Sequence, residues 1–244
     1  MKVGVFGDIH ANLEAFEQVL RALMDRGCEA YCCTGDIVGY GPDPAGCIHL
    51  LRENDIPCVL GNHDKYVTLI ASPQVNKLDP GTRASVEWTQ SVLDMEDLHW
   101  LAELPLRLDF EPFTVIHGSF GKNRWAYLVN EKNLEQSFEN QDVALAFSGH
   151  SHLPVCCLQM PGHKPHMSFL RTTTLPAKAE KILINPGSVG QPRDRDPRAS
   201  CLVYDTDERS VQPLRVEYDI EATQKKMREA DLPERFVERL ENGR

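Results

Sequence analysis

The sequence predicts an α/β fold, and three observations support this. Short apolar runs rich in Val, Ile, Leu and Cys recur along the chain and end at a glycine, as strands buried on both faces do. In the first half these runs alternate with helical patterns, as in βαβ units. The 244 residues are 41% hydrophobic and 25% charged, which suits the core of a globular domain. We therefore expect one domain over residues 1–244, with a charged helical segment at about 220–244.

The first sixty residues predict three strands and two helices. The first strand ends at Gly7, and Asn12 is a suitable N-cap for the helix that follows. That helix has an apolar stripe including Leu13 and Phe16, and Gly27 is its expected C-cap. Strands are predicted over 30–34 and 58–60, with a helix over 45–53 between them.

The remainder predicts one long helical region and then a strand-rich half. Helical patterns cover 82–104 and 130–140, and strands are expected over 106–110, 113–117 and 143–147. Further strands, mostly antiparallel, are expected over 155–159, 181–185, 200–205 and 211–218. The basic segment 161–181 is bounded by prolines and predicts a hairpin or flap, with His163 and His166 solvated. The C-terminal helical region is interrupted at Pro233, and its apolar stripe is expected to pack back on the domain.

Composition narrows the class of protein. A net charge of −10 and a pI near 5.4 disfavour binding to a nucleic acid polymer. Neither a membrane span nor a signal peptide is evident, so cytoplasmic residence is the expectation. The eight cysteines form no C-x-x-C motif. The adjacent pairs Cys32-Cys33 and Cys156-Cys157 are expected to be buried on opposite faces of strands, with a reactive thiol as the alternative.

Five predicted strand ends carry residues able to bind a metal. Each lies beside a glycine: Asp8 and His10, Asp36, Asn62 with His63 and Asp64, His117, and finally His150 and His152. In open α/β sheets ligands bind outside the carboxyl ends of strands, so these side chains can converge at one edge. Oxygen and imidazole donors without thiolate suit Mn, Fe, Co, Ni or Zn ions and argue against a structural zinc site.

These motifs resemble those of the calcineurin-like metallophosphoesterase superfamily. The matching segments are GDIH (7–10), GDIVGYGPDP (35–44), GNHD (61–64), HGS (117–119) and GHSH (149–152). Residues 184–200 are similar to the ending of the small bacterial and archaeal phosphodiesterase/phosphatase branch. The resemblance implies a four-layer α/β/β/α sandwich of two mixed sheets flanked by helices, with a dinuclear metal site.

The resemblance also implies a role for each site residue. One divalent metal ion would be held by Asp8, His10 and His152. The second would be held by Asn62, His117 and His150, and Asp36 would bridge the two ions. His63 would protonate the leaving group or stabilise its charge, with Asp64 fixing its orientation. The alternative for His63 is a packing role beside Asn62.

Substrate contacts are predicted from the residues themselves. Residues 185–193 contain glycine-rich turns whose backbone N–H groups can cradle an anion, and Arg193 can bind phosphate in a bidentate way. The alternative is a tight turn that ends a strand, with a surface arginine. Arg124 is a similar candidate, and Tyr40 lies in the loop after Asp36.

The sequence therefore predicts a metal-dependent hydrolase of phosphoric esters. Its expected substrates are small phosphomonoesters, phosphodiesters or nucleotides, and dinucleoside polyphosphates and phosphoproteins are the alternatives. A non-catalytic scaffold on the same fold and a metal-sensing protein are the alternatives of another class. Two bound divalent metal ions and a small phosphorylated substrate are expected, without a membrane partner, and assembly into a homo-oligomer is left open.

Overall fold

The computed structural model describes all residues, 1–244, and contains eleven strands, eight α-helices and one short 3₁₀ helix at Val75–Lys77. The helices are α1 (Leu13–Asp25), α2 (Pro44–Glu53), α3 (Asn62–Thr68), α4 (Pro80–Val92), α5 (Met95–Glu103), α6 (Glu131–Asn140), α7 (Ile220–Glu229) and α8 (Glu234–Asn242). The strands are β1 (Lys2–Phe6), β2 (Ala30–Cys33), β3 (Arg107–Asp109), β4 (Thr114–Ile116), β5 (Leu145–Phe147), β6 (Pro154–Gln159), β7 (His166–Phe169), β8 (Thr173–Thr174), β9 (Lys181–Pro186), β10 (Ala199–Asp205) and β11 (Ser210–Val216). None of the helices is both long and apolar enough to cross a membrane.

Two mixed sheets form the centre of the fold. The five-stranded sheet has the order β2-β1-β10-β11-β8, in which β1 and β2 are parallel. The six-stranded sheet has the order β3-β4-β5-β9-β6-β7, in which β4, β5 and β9 are parallel. The carboxyl ends of the parallel strands in the two sheets can therefore carry residues to a common edge.

Three apolar layers show how the sheets and helices stack. Phe16 of α1 and Leu51 of α2 pack against one face of the five-stranded sheet. Its other face packs on the six-stranded sheet through side chains such as Val5 and Phe147. The outer face of the six-stranded sheet is covered by Phe138 of α6. The order helix, sheet, sheet, helix confirms the predicted four-layer α/β/β/α sandwich.

The adjacent cysteines follow the strand alternation. Cys32 lies between the sheets, whereas Cys33 faces the helices. Cys156 and Cys157 are divided in the same way between the two faces of the six-stranded sheet. All eight cysteines are free, and burial raises the pKa of the Cys32 thiol well above its usual range. The expectation that the adjacent cysteine pairs are buried apolar residues is confirmed.

Two element predictions differ from the structure, and one short helix was not predicted. Residues 58–60 form only an isolated bridge, from Cys58 to Cys33, and the following residues form the unpredicted short helix α3. The helical region 82–104 is two helices, because the backbone is extended at Leu93 and the Asp94 side chain caps α5 by accepting from the Asp97 N–H. The periodicity continued across this break and hid it.

The insert and the C-terminal region were predicted correctly. The β7 strand pairs antiparallel with β6 and so forms a hairpin, and His163 and His166 are exposed on it. Helices α7 and α8 pack back on the domain, with Pro233 at the N-cap of α8. Their apolar contact includes the side chains of Tyr40, Met227, Leu232, Phe236, Val237 and Leu240. Tyr40 thus connects the C-terminal helices to the loop after β2.

Candidate metal centre

Ionisable side chains from four strand ends meet at one edge of the two sheets. Asp8 and His10 follow β1, Asp36 follows β2, His117 follows β4, and His150 and His152 follow β5. Each of these six residues is at most 5% exposed. Such dense burial of ionisable groups requires mutual pairing or a bound cation.

The donor atoms form two overlapping groups that share Asp36. One group contains Asp8, His10, Asp36 and His152, and the other contains Asp36, His117 and His150, with the donor atoms of each group within 4.8 Å of one another. The Asp36 Oδ2 atom lies 3.7 Å from His10 Nε2 and 3.3 Å from His117 Nε2. Asn62 joins the second group, because its Oδ1 atom lies 3.1 Å from His117 Nε2.

Backbone carbonyls orient four of the imidazoles. His10 Nδ1 lies 3.2 Å from the Val38 oxygen, and His152 Nδ1 lies 2.6 Å from the Gln191 oxygen. His117 Nδ1 lies 2.8 Å from the Thr34 oxygen. His150 makes the same kind of contact through its other nitrogen, since its Nε2 atom lies 3.0 Å from the Trp125 oxygen. A carbonyl only accepts, so each of these nitrogens donates. In a neutral ring the other nitrogen then carries a lone pair directed at the cluster, which is how metal-binding histidines are prepared.

The contact between His10 and His152 tests whether this donor set fits a cation. Their Nε2 atoms are 3.0 Å apart. Since both Nδ1 atoms donate to carbonyls, two neutral rings would direct their lone pairs at each other. Burial lowers the pKa of both imidazoles well below the usual range, which disfavours a bridging proton. The residues therefore fit a cation held between the two nitrogens.

Burial and neighbouring charges shift the pKa values of donors in both groups. Burial raises the pKa of Asp8 to about 7. Burial disfavours the charged form of His117, but the attraction of the Asp36 carboxylate is larger than this effect. The His117 pKa is therefore raised to about 10. Burial and the neighbouring His117 charge lower the pKa of His150 to about 3. The Asp36 carboxylate is thus the anion that stabilises positive charge in the site.

The backbone at the donors is held in an unusual conformation. Asp8, His10, Asp36, His150 and His152 have φ between 48° and 70°, in the left-handed region that non-glycine residues seldom adopt. Such conformations are concentrated at functional sites, where the surrounding structure enforces them. Two glycines that each precede a proposed donor allow the chain to approach the carboxylates closely. A Cβ on Gly61 would lie 2.1 Å from Asp36 Oδ1, and one on Gly149 would lie 2.8 Å from Asp8 Oδ2.

His63 lies beside the donors but is bound differently. Its backbone N–H donates to Asp36 Oδ1 at 2.8 Å, and its ring centroid lies 4.9 Å from that of His10 and 4.3 Å from that of Tyr40. Its Nδ1 atom is buried without a hydrogen-bond partner. His63 is therefore the one imidazole of the cluster that no carbonyl orients.

The Asp64 carboxylate is hydrogen-bonded to backbone N–H groups and not to the His63 ring that it was expected to orient. Asp64 Oδ1 accepts from the N–H groups of Ile37 and Val38, at 2.8 and 3.1 Å, and Oδ2 accepts from Gly61 N–H at 3.0 Å. Both carboxylate oxygens therefore fasten the loop after β2 to the start of α3. This carboxylate therefore positions Asp36 and Asn62 through backbone contacts, and it makes no hydrogen bond to the ring of His63.

The glycine-rich segment 185–193 does not form an anion cradle. The Val189 and Gly190 N–H groups donate to the carbonyls of Gly7 and Asp8. The Gln191 N–H donates to Ser188 Oγ, and that hydroxyl donates to the Asp8 carbonyl. These amides are therefore engaged in holding the β1 end. The segment positions Asp8 and, through the Gln191 carbonyl, His152, and this supporting role was missed.

The predicted substrate-binding arginines lie on different sides of the centre. The Arg193 guanidinium is half-buried and donates to Gln191 Oε1 at 2.9 Å. Arg124 lines an open cleft of about 530 Å³ that also touches His117 and Trp125. The Arg124 carbonyl accepts from the Ser119 N–H at 2.9 Å, which shapes the loop after His117.

Comparison with known proteins identifies the family. Residues 1–209 match the family model for the calcineurin-like phosphoesterase superfamily domain. The chain is 34% identical to the uncharacterized protein MJ0912 of Methanocaldococcus jannaschii, over 99% of this chain and 98% of that protein. It superimposes on a metallophosphoesterase from Sphaerobacter thermophilus with a TM-score of 0.85 and 38% identity, covering 100% of both chains.

A more distant structure agrees in fold. The hypothetical protein PH1004 from Pyrococcus horikoshii superimposes with a TM-score of 0.80 at 19% identity, over 100% of this chain and 98% of that chain. The buried cluster at the strand ends, the four-layer fold and these similarities agree with one another. This chain belongs to the calcineurin-like phosphoesterase superfamily and is a metallophosphoesterase.

Proposed function

We propose that the protein hydrolyses small phosphoric esters, including nucleotides, with two divalent metal ions held on either side of Asp36. The observation that carries this proposal is the 3.0 Å contact between His10 Nε2 and His152 Nε2, both of which present lone pairs. The membership of Asp36 in both donor groups supports a second ion beside the first.

The donors divide between the two ions. Asp8, His10 and His152 would hold one ion, Asn62, His117 and His150 would hold the other, and Asp36 would contribute to both. The oxygen and nitrogen donors suit Mn, Fe, Zn, Ni or Co. When bound, such a pair of ions supplies Lewis acidity toward phosphoryl oxygens and activates a water for in-line attack on phosphorus. A serine or cysteine nucleophile is then not needed.

His63 protonates the leaving group in this proposal. No carbonyl engages its Nδ1 atom, so the ring is available to exchange a proton with the substrate. Its backbone N–H on Asp36 keeps the ring beside the donors. Gly39 leaves room for it, because a Cβ there would lie 2.6 Å from His63 Nδ1. Asp64 contributes by fixing the loop from which these contacts come.

Burial of the donors supports a small substrate. Each proposed ligand is at most 7% exposed, so little of the donor surface is open to a substrate. Together with the net charge of −10, this disfavours a nucleic acid polymer. Dinucleoside polyphosphates and phosphoproteins remain the alternative substrates on the same site. A single domain over 1–244, with cytoplasmic residence and eight reduced cysteines, completes the proposal.

Metal-dependent turnover tests the function. Protein stripped with a chelator is assayed on p-nitrophenyl phosphate and bis-p-nitrophenyl phosphate, with Mn²⁺, Fe²⁺, Co²⁺, Ni²⁺ or Zn²⁺ restored separately. We expect turnover only after a metal is restored, and none with the Asp36→Asn control under any metal. Absence of turnover by the wild type with every metal would instead favour a non-catalytic scaffold.

A further inference from the structure

Two arginines near the metal centre lack a carboxylate partner. Neither Arg193 nor Arg239 has an acidic oxygen within 4.0 Å, although acidic residues outnumber Lys and Arg by 36 to 26. Three other arginines are paired: Arg198 with Asp196, Arg215 with Asp194, and Arg235 with Asp79. Unpaired guanidinium groups in an acidic chain are suited to an anionic ligand.

Helix α8 brings Arg239 to the centre. The Phe236 ring of α8 lies 4.5 Å from the Tyr40 ring, which in turn lies 4.3 Å from the His63 ring, measured between centroids. Arg239 follows Phe236 by three positions and so shares a helix face with it. Its guanidinium carbon lies 5.5 Å from the Phe236 ring centroid. The half-buried Arg239 is therefore held beside Tyr40, next to the proposed proton donor.

The end of α8 is fastened to the segment that carries Arg193. The Gly243 carbonyl accepts from the Arg195 N–H at 2.8 Å. Leu240 lines a small cavity together with His10 and Gln191. Since Gln191 Oε1 accepts from the Arg193 guanidinium, α8 and residues 191–195 form one wall that carries both arginines.

Electrostatics agree with this placement. Burial, followed by the Arg193 charge, lowers the pKa of Arg239, and no carboxylate opposes either effect. The charge of Tyr127 also affects the pKa of Arg239. Tyr127 lies on the other side of the opening, where its ring stacks on that of His150 with the centroids 4.1 Å apart. Tyr127 is 44% exposed, so the space between it and α8 is open to solvent.

We propose that Arg193 and Arg239 form a subsite that binds a second phosphate of the substrate, beside the phosphate that reacts at the metal centre. The preferred substrates are then esters that carry a diphosphate or a further phosphoryl group. Two guanidinium groups can together bind adjacent phosphates through paired N–H donors. Arg239 lies beyond residues 1–209, the part that matches the family model, so the C-terminal helices contribute one of the two arginines of this subsite. The substrate preference rests on the proposed function, whereas anion binding does not.

Binding of two phosphonates tests the subsite. Calorimetric titration of the full chain, with its metals as purified, compares methylenediphosphonate, which resists hydrolysis, with methylphosphonate. We expect the wild type to bind the diphosphonate at least about tenfold more tightly, since the second phosphonate gains charge-assisted contacts with the guanidinium groups. Arg239→Gln and Arg193→Gln should each reduce this preference about five- to tenfold.

Arg235→Gln is the matched control, because it removes the same charge from the same helix at a residue paired with Asp79. It should keep the wild-type preference, and thermal midpoints should show that every variant is folded. An unchanged preference in Arg239→Gln, or no preference in the wild type, overturns the subsite. Failure of the hydrolase itself has a different signature: p-nitrophenyl phosphate is not turned over, while the diphosphonate preference remains.

Discussion

The Nε2 atoms of His10 and His152 lie 3.0 Å apart, and backbone carbonyls engage the opposite nitrogen of both rings. The two residues come from the ends of β1 and β5, which belong to different sheets. Two buried lone pairs at this distance repel each other unless a cation lies between them. The fold therefore stores an unfavourable contact that metal binding relieves, so stability and metal content should be coupled.

Metal removal should lower thermal stability. A ligand present at one hundred times its dissociation constant stabilises the native state by about 2.7 kcal/mol, which for a chain of this length corresponds to about 5–10 °C in Tm. We expect chelation to lower the Tm by about this amount and Mn²⁺ to restore it. Differential scanning fluorimetry makes the measurement, and Asp36→Asn, already weakened in metal binding, should respond little to the chelator. A wild-type Tm insensitive to chelation would contradict the coupling.

His63→Ala should lower turnover without removing metal. General acid catalysis contributes about 10²- to 10⁴-fold, and a poor leaving group depends on it most. The loss in kcat should therefore be larger for phenyl phosphate than for p-nitrophenyl phosphate. His117→Ala is the comparison, because it should lose metal and activity together. Equal metal loss in the two variants, measured by mass spectrometry, would show that His63 acts as a ligand or packing residue instead.

Asp64→Asn should mainly destabilise the fold. Its carboxylate accepts from three buried backbone N–H groups, and an amide presents its own donors to part of this set. We expect a loss of about 2–4 kcal/mol in the free energy of unfolding, measured by urea denaturation. Asp94→Asn is the control, because an asparagine caps a helix about as well as an aspartate and should change stability little. A loss of activity with unchanged stability would restore a direct role for Asp64 toward His63.

The strand ends were readable from the sequence because their signal is local. An apolar run, a glycine and a donor such as Asp8 or His150 occupy fewer than ten consecutive residues. The sheet topology then brings the carboxyl ends of these strands to one edge. The two-sheet arrangement followed from the resemblance rather than from periodicity. The break at Leu93 was missed because the apolar period of α4 continues into α5.

The residues that support the site could not be predicted from local sequence patterns. Ser188 holds the Asp8 carbonyl across 180 positions, and Gln191 orients His152 from a segment that otherwise reads as a tight turn. Arg239 lies in a charged helix whose pattern gave only its apolar face. In each case the partner is distant in sequence, and no local spacing encodes a contact of that kind.

Anomalous diffraction from crystals grown with Mn²⁺ tests the central claim most directly. The account predicts two manganese peaks per chain on either side of the Asp36 carboxylate, one beside His10 and His152 and the other beside His117 and His150. A single peak, or peaks away from Asp36, would contradict it.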